Sequence, residues 1–326
     1  MSLKTELEAI LHHAAIAPLN DRAFLRITGS DATRWLNGMV TNSVQDLAPG
    51  EGSYNLLLNA QGRILADCTI FREIDPAEPP SFLLAAHSSQ LEAIRQHLDH
   101  FIIMDDVELT PAYTEENSLL VLGPEAPARL NAIGIPAQDV LRLIHADSPH
   151  GPVLFLTPHT NAFELRADTA TIAAITTDLK ATEASPEALE ALRLIDARPL
   201  YGRDITEKYL PQEVNQPQAL HFNKGCYLGQ EIVERIRSRG QVHRLLTPLT
   251  LTGELPTEFP APIEADGKPV GEITSAALVP LPEGDQILAL GYVRREALDT
   301  RAALTYSGGS AAPRSASKPL TSTATH

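Results

Sequence analysis

A chain of 326 residues, 43% hydrophobic and 21% charged, is long enough for two or three domains around a substantial core and has the balance of a soluble globular protein. A formal net charge of −15 excludes general nucleic-acid binding, which needs a basic footprint. Two cysteines far apart in sequence form neither a disulfide framework nor a self-contained zinc or cluster site, so no resident metal is expected, and a reducing, cytoplasmic compartment is.

The opening stretch MSLKTELEAILHHAAIA lacks the basic region and apolar core of a secretory signal and reads as a short amphipathic helix. Residues 22–28 alternate as a strand. Ser30 or Asp31 then caps a helix on which Trp35, Leu36 and Met39 share one face. In GSYNLLLNAQGRILADCTIFR two apolar runs flank NAQG, whose Asn and Gly suit a tight turn, so a hairpin is expected. SFLLAAH follows as a strand and SSQLEAIRQHLDHF as a helix capped by Ser88 or Ser89. Even the longest apolar runs fall short of a membrane span. Strand, helix, strand, strand, helix in succession predicts an α+β arrangement of antiparallel sheet and helices.

The pattern recurs downstream. NSLLVLGP reads as a strand, EAPARLNAIG as a helix ending at Gly134, PVLFLTP and AFELRAD as strands, and TATIAAITTDLKA and PEALEALRLIDA as helices. Two related halves are suggested, dividing an α+β region over residues 1–245 at roughly 1–110 and 111–245. Beyond residue 246 proline is dense and short β-like runs alternate with turns, which predicts a small β-barrel over 246–307. Residues 308–326 are Ser, Ala, Thr and Pro with almost no large apolar side chain, and are expected to be a disordered tail.

One segment stands apart. Residues 224–244 hold five Lys/Arg against two acids, a local +3 in a chain that carries −18 elsewhere. Such a patch either recruits a small anionic ligand or is a solvated helix face with surface ion pairs. Cys226 lies inside it, in KGCYLGQE. Lys224 two residues away, and the positive end of a helix beginning just after the cysteine, favour a thiolate. Gly225 and Gly229 permit tight or left-handed backbone and close ligand approach. Tyr227 offers a flat ring, Gln230 a bidentate amide, and Glu231 sits in the first helical turn. The alternative is a buried cysteine acting as a small hydrophobe. No His/Asp pattern marks a protease-type nucleophile, and no phosphate loop or dinucleotide fingerprint is present.

The run LPQEVNQPQALHFNKGCYLGQEIVERIRSRGQVHR closely resembles the signature segment of the YgfZ family of folate-binding proteins, relatives of the glycine cleavage T-protein, an aminomethyltransferase. The motif Lys-Gly-Cys-Tyr-x-Gly-Gln-Glu is complete here. ITGSDATRWLNGMVTNSVQDL, NAQGRILAD, HLDHFIIMDDVEL, LRLIDARPLYGRDITEKYLPQE and GKPVGEITSAA with ILALGYVRRE extend the likeness over most of residues 20–307. The resemblance implies a T-protein-like fold, with two related α+β subdomains around a central channel and a small C-terminal β-barrel. It implies a bound tetrahydrofolate, and a role as an accessory factor in iron–sulfur protein maturation or repair, with iron–sulfur client or assembly proteins as partners and neither nucleic acid nor membrane.

On that resemblance Cys226 is the reactive thiol and Lys224 tunes it. Arg235, Arg237, Arg239 and Lys224 are candidates for the folate glutamate tail, Asp67 and Tyr209 for the head or the channel wall, and Gly225, Tyr227, Gly229, Gln230 and Glu231 shape the site. Two departures from the T-protein weigh against its chemistry. Its Gly-Gly-x-x-Asp-Asp hairpin becomes Gly62-Arg63-Ile64-Leu65-Ala66-Asp67, and its Leu-Arg-Leu-Glu-Ala-Gly becomes Leu192-Arg193-Leu194-Ile195-Asp196-Ala197. A placed carboxylate is worth about 10²–10⁴ in rate. A folate-dependent one-carbon transferase is the alternative function.

Overall fold

The computed structural model describes residues 1–74, 79–240 and 242–315. The chain opens with α1 (Leu3–His12) and β1 (Ala15–Pro18). Then come β2 (Arg22–Thr28), α2 (Ala32–Met39), β3 (Gly52–Leu58), β4 (Ile64–Arg72), β5 (Phe82–His87), α3 (Ser88–Asp99) and β6 (Glu108–Ala112), which build a five-stranded antiparallel sheet in the order β3-β4-β5-β2-β6. β7 (Asn117–Leu122), α4 (Ala126–Ala132), β8 (Arg142–Ser148), β9 (Gly151–His159), β10 (Ala162–Ala167), α5 (Thr169–Leu179) and β11 (Thr182–Glu183) build a second sheet, ordered β11-β1-β7-β10-β9-β8.

The two halves repeat one topology. β3, β4, β5, β2 and β6 correspond in sheet order to β8, β9, β10, β7 and β11, except that β1 is inserted between β7 and β11. This insertion corrects the boundary read from sequence: residues 15–18 lie in the second sheet, so the first subdomain does not begin at residue 1. The sheets meet edge to edge, where Glu51 bridges Arg142 and Gly52 N donates to Leu141 O at 2.8 Å. Their inner faces pack through Phe24, Phe71, Leu83, Leu143, Leu154 and Leu156.

The expected β3–β4 hairpin forms around Asn59, whose side-chain oxygen accepts from Gln61 N and Arg63 N, while Gly62 takes φ 71°. The caps differ in part from expectation. Asp31 is the N-cap of α2, as expected, but makes no side-chain bond to its backbone, Asp31 accepting from Arg34 and, with Ser30, bonding to Asp106; His87, not a serine, caps α3 and accepts from Ser89 N. β6 and β8 have no counterpart among the expected strands. Leu109 and Ala112 are the only apolar partners of a proline in ELTPA, a composition that fits only a sheet edge.

α6 (Pro186–Ile195) is capped by Ser185, whose hydroxyl accepts from Ala188 N, and α7 (Gln230–Arg239) follows the cysteine loop. β12 (Arg244–Gly253), β13 (Ala261–Ala265), β14 (Lys268–Leu281), β15 (Gly284–Arg294), α8 (Arg295–Asp299), β16 (Leu304–Tyr306) and β17 (Gly309–Pro313) form a barrel closed in the order β12-β15-β14-β13-β16-β17. β17 corrects the disordered tail expected from residue 308. Residues 309–313 pair with β12 and β16, and the Arg314 guanidinium donates to the carbonyls of Leu194 and Ile195. Side-chain composition missed it because only Ala311 of GSAAP is buried; the ladder, not apolar burial, holds the strand. The rest of the expected tail, residues 316–326, lies outside the described residues. The largest core cluster joins α1, α6, β3 and the barrel through residues such as Leu7, Leu56, Leu194, Tyr209 and Tyr292.

Candidate functional site

The cysteine loop is fixed at its C-terminal end by backbone that only glycine allows. Gly229 sits at φ 81°, where a Cβ would lie 2.7 Å from Asn59 O and 3.2 Å from Gly62 Cα. Gly62 in turn leaves room for Ile232, whose Cβ would stand 2.8 Å from an added Cβ. The start of α7 therefore interlocks with the β3–β4 turn. Tyr227 N donates to Gln230 Oε1 at 3.3 Å, Leu228 N to Gly38 O at 3.0 Å and His221 N to Thr41 O at 3.1 Å, tying the loop to α2.

Within this frame Cys226 is exposed, whereas Cys68 is buried under α2 and α3. Lys224 reaches away from solvent and donates from Nζ to Val40 O at 2.7 Å and to Asn42 O, at the C-terminal end of α2, with Nζ 5.3 Å from the Tyr227 ring centroid. Burial pushes its ammonium down to about 7. A neutral amine keeps two N–H donors, so both carbonyl bonds survive in either protonation state. Tyr227 is buried and its hydroxyl, pushed up to about 12 by burial, finds no hydrogen-bond partner.

A second cluster lies between the inner faces of the sheets. Along β4, Ala66 and Cys68 face the helix-packed core, and Asp67 points the other way. Tyr54 on β3 donates to Asp67 Oδ2 at 2.9 Å and Gln90 Nε2 to Oδ1 at 3.1 Å. Burial pushes the Asp67 carboxyl up, against these hydrogen bonds and the charge of Arg22. Arg22 is held by the fully buried Glu164 at 3.2 Å, and Arg198 Nε lies 3.4 Å from Asp196 Oδ2 without an aligned hydrogen bond. His159 is pushed well below its ordinary value by burial, then by Arg198 and Arg22, and stays neutral. The Arg198 side chain is 31% exposed and lines a small hollow with Thr160, Asn161 and Asp196 beside this cluster. Tyr201 closes the set, its hydroxyl bonded to Leu65 O.

Loop and hollow communicate through β3. Lys224 bonds Asn42 O, Asn42 Nδ2 donates to Tyr54 O at 3.2 Å, and Tyr54 reaches Asp67. The cluster gathers a carboxyl with free acceptor positions, a neutral imidazole, two tyrosines and the Arg198 guanidinium, groups whose donors and acceptors suit a flat polar heterocycle with an anionic extension. Among the described residues no group of three or more His, Cys, Asp or Glu side chains is placed to hold a metal, and no helix is long and apolar enough to cross a membrane.

Several expected placements change. Lys224 is engaged by carbonyls and unavailable to an anionic tail. Tyr209 is buried, stacked on Tyr292 at 3.7 Å with its hydroxyl 3.0 Å from Glu272 Oε1, and belongs to the core against the barrel rather than to a wall of the hollow. Gly225 has no positive φ and open space where a Cβ would stand, so its backbone does not require glycine. Arg237 lies over Phe222 at 4.4 Å and 3.6 Å from Glu234, Arg235 and Glu231 are exposed, and the Arg239 side chain is outside the description. The alanine at 66 subtracts no acid from the hollow, because its side chain lies on the opposite face of the sheet from Asp67. Ile195 is buried in the core, and Asp196 turns to Arg198. Arg22, Tyr54, Gln90, His159, Arg198 and Tyr201 were missed. Hairpin register could have found Tyr54, which shares a face with Asp67; the others meet only through tertiary packing.

Residues 1–143 match the family model described as GCVT N-terminal domain. The chain is 28% identical over 297 residues to an aminomethyltransferase of Synechococcus sp. (strain RCC307), covering 88% of this chain and 81% of that protein. It is 26% identical over 284 residues to an "Iron-sulfur cluster assembly factor IBA57 homolog, mitochondrial" of Pyricularia oryzae, covering 82% of this chain and 64% of that one. A crystal structure of the glycine cleavage system aminomethyltransferase T from Bartonella henselae superposes with a TM-score of 0.81 at 20% identity, over 98% of this chain and 89% of the other. The fold is therefore the T-protein fold, mixed α+β with a closed six-stranded barrel.

Proposed function

We propose that this protein binds a tetrahydrofolate in the hollow around Asp67 and serves the maturation or repair of iron–sulfur proteins through Cys226. The likeness to iron–sulfur cluster assembly factors supports the setting. The observation that carries the reading is the contrast between the two cysteines. One is sealed under α2 and α3; the other is exposed on a loop fixed by Lys224, Gln230 and the glycine interlock. A lone structural thiol gains nothing from such positioning, whereas a thiolate that must meet a partner needs access and a rigid mount.

In this reading Asp67, Tyr54 and Gln90 orient the heterocycle, His159 offers a neutral nitrogen, and Arg22 and Arg198 set the positive field that draws an anionic tail inward. Bound tetrahydrofolate would supply one-carbon or hydride-equivalent chemistry at its ring. Cys226 contributes one sulfur to an iron–sulfur substrate, whose remaining ligands come from the client. Replacement Cys226→Ser is expected to leave fold and tetrahydrofolate affinity unchanged, by calorimetry, and to abolish rescue of iron–sulfur enzyme activity in a strain lacking the protein. Full rescue by the serine variant would overturn the role of the thiol.

A second reading, a folate-dependent one-carbon transferase, is favoured by Asp67 facing the hollow and by the likeness to aminomethyltransferases. Formation of methylene-tetrahydrofolate from an aminomethyl or methylamine donor, abolished by Asp67→Asn and retained by Cys226→Ser, would establish it over the first.

A further inference from the structure

A cavity of about 230 Å³ opens where the barrel meets the α+β region, lined by Lys208, Arg244, Glu272, Tyr292 and Arg294 beside the 269–271 backbone. β12 and β15 place Arg244 and Arg294 directly opposite each other in register, so two cations share one face of neighbouring strands. Like charges so placed repel, and a bare pair destabilises the ladder. The local acids answer Arg244 and leave Arg294. Glu272 is taken up by Lys208 Nζ at 2.5 and 2.8 Å and by the Tyr209 hydroxyl, and stands 3.8 Å from Arg244. Glu213 holds Arg244 Nε at 2.9 Å. Arg294 is exposed and has no ion-pair partner among the described residues. The Arg244 guanidinium is fixed in addition by lying 4.9 Å from the Tyr209 and 5.5 Å from the Tyr292 ring centroids.

We propose that this cavity is a binding site for a small carboxylate- or phosphate-bearing molecule, which bridges Arg244 and the unpaired Arg294. Arg244 is pre-oriented, with Nη2 donating to Lys208 O at 3.4 Å and Nη1 3.8 Å from Glu272 Oε1, Arg294 closes from the other strand with its guanidinium unpaired, and the cavity is roomy enough for an organic anion rather than a bare ion. The site is independent of the hollow around Asp67 and of the function proposed for it.

The test measures thermal stabilisation and calorimetric binding of the full chain with sodium phosphate and with sodium glutarate, against sodium chloride at equal ionic strength. At least one of the two is expected to bind above the chloride baseline, phosphate alone marking a phosphate-bearing ligand and glutarate alone a carboxylate. Arg294→Gln is expected to weaken that binding by about tenfold or more. Lys4→Gln, an exposed cation on α1, should bind as wild type. No binding beyond chloride, or undiminished binding by Arg294→Gln, would overturn the proposal. Tetrahydrofolate titrated into Arg294→Gln reads the other site separately and should be unaffected.

Discussion

Asp67 is held in a state its solution chemistry opposes. Its folded pKa is raised by burial, so the stability linked to its neutral form is complete below the ordinary value of 3.8 and is lost as pH rises through the folded value. Above that folded value the native protein carries a destabilising carboxylate, as functional sites often do. Asp67→Asn should raise the melting temperature by about 2–3 °C at pH 7.5, lose that advantage near pH 3.5, and weaken tetrahydrofolate binding about tenfold by calorimetry. Lys224 has the opposite sign. Its pKa is lowered to about 7, so its contribution is complete above 10.5 and lost as pH falls through 7. The melting temperature of the wild type relative to Lys224→Met should accordingly be higher at pH 9 than at pH 6. Asp67 and Cys226 were legible as candidates because each sits in a motif. Lys224 was misassigned to the anionic tail because the carbonyls that claim it, at Val40 and Asn42, lie more than 180 residues earlier in the chain. Arg22, His159 and Arg198 carry no local signal at all; sheet packing alone gathers them.

At the scale of elements, α7 and the β3–β4 hairpin act as one piece because two glycines abut. Gly229→Ala must force a left-handed backbone and a contact with Asn59 O, and should cost at least about 2 kcal/mol in urea unfolding. Gly225→Ala, four residues away and facing open space, should lie within about 0.5 kcal/mol of wild type, and a larger loss would mean the loop is packed more tightly than described. The sequence made this hairpin readable, since Asn59 and Gly62 announce the turn and apolar runs flank it. It hid β17, whose small residues contribute hydrogen bonds rather than apolar area, and β6, a proline-bearing edge. Periodicity reports burial, so strands that stay in a sheet without burying much escape it.

For the whole molecule, the barrel and the two sheets are joined by one core and by Arg314, so closing the barrel bears on the stability of everything. A chain stopped after Gly308 loses the strand that pairs with β12 and β16 and should melt roughly 5–10 °C lower, while a comparable loss of stability from Arg314→Ala would assign the effect to the arginine instead of the strand. The repeated topology of the halves was anticipated from the recurrence of strand and helix runs, but the insertion of β1 between β7 and β11 was not, because a four-residue strand says nothing of its neighbours. That insertion has a consequence for synthesis. As the polypeptide leaves the ribosome, residues 22–112 can assemble a complete sheet, yet Ala15–Pro18 must wait for Leu119–Leu122 and then for Thr182 before it is paired on both sides. For the translation of about 100 further residues this apolar strand has no partner in a sheet, and only after more than 160 is it paired on both sides, which makes the nascent chain a natural customer for a chaperone.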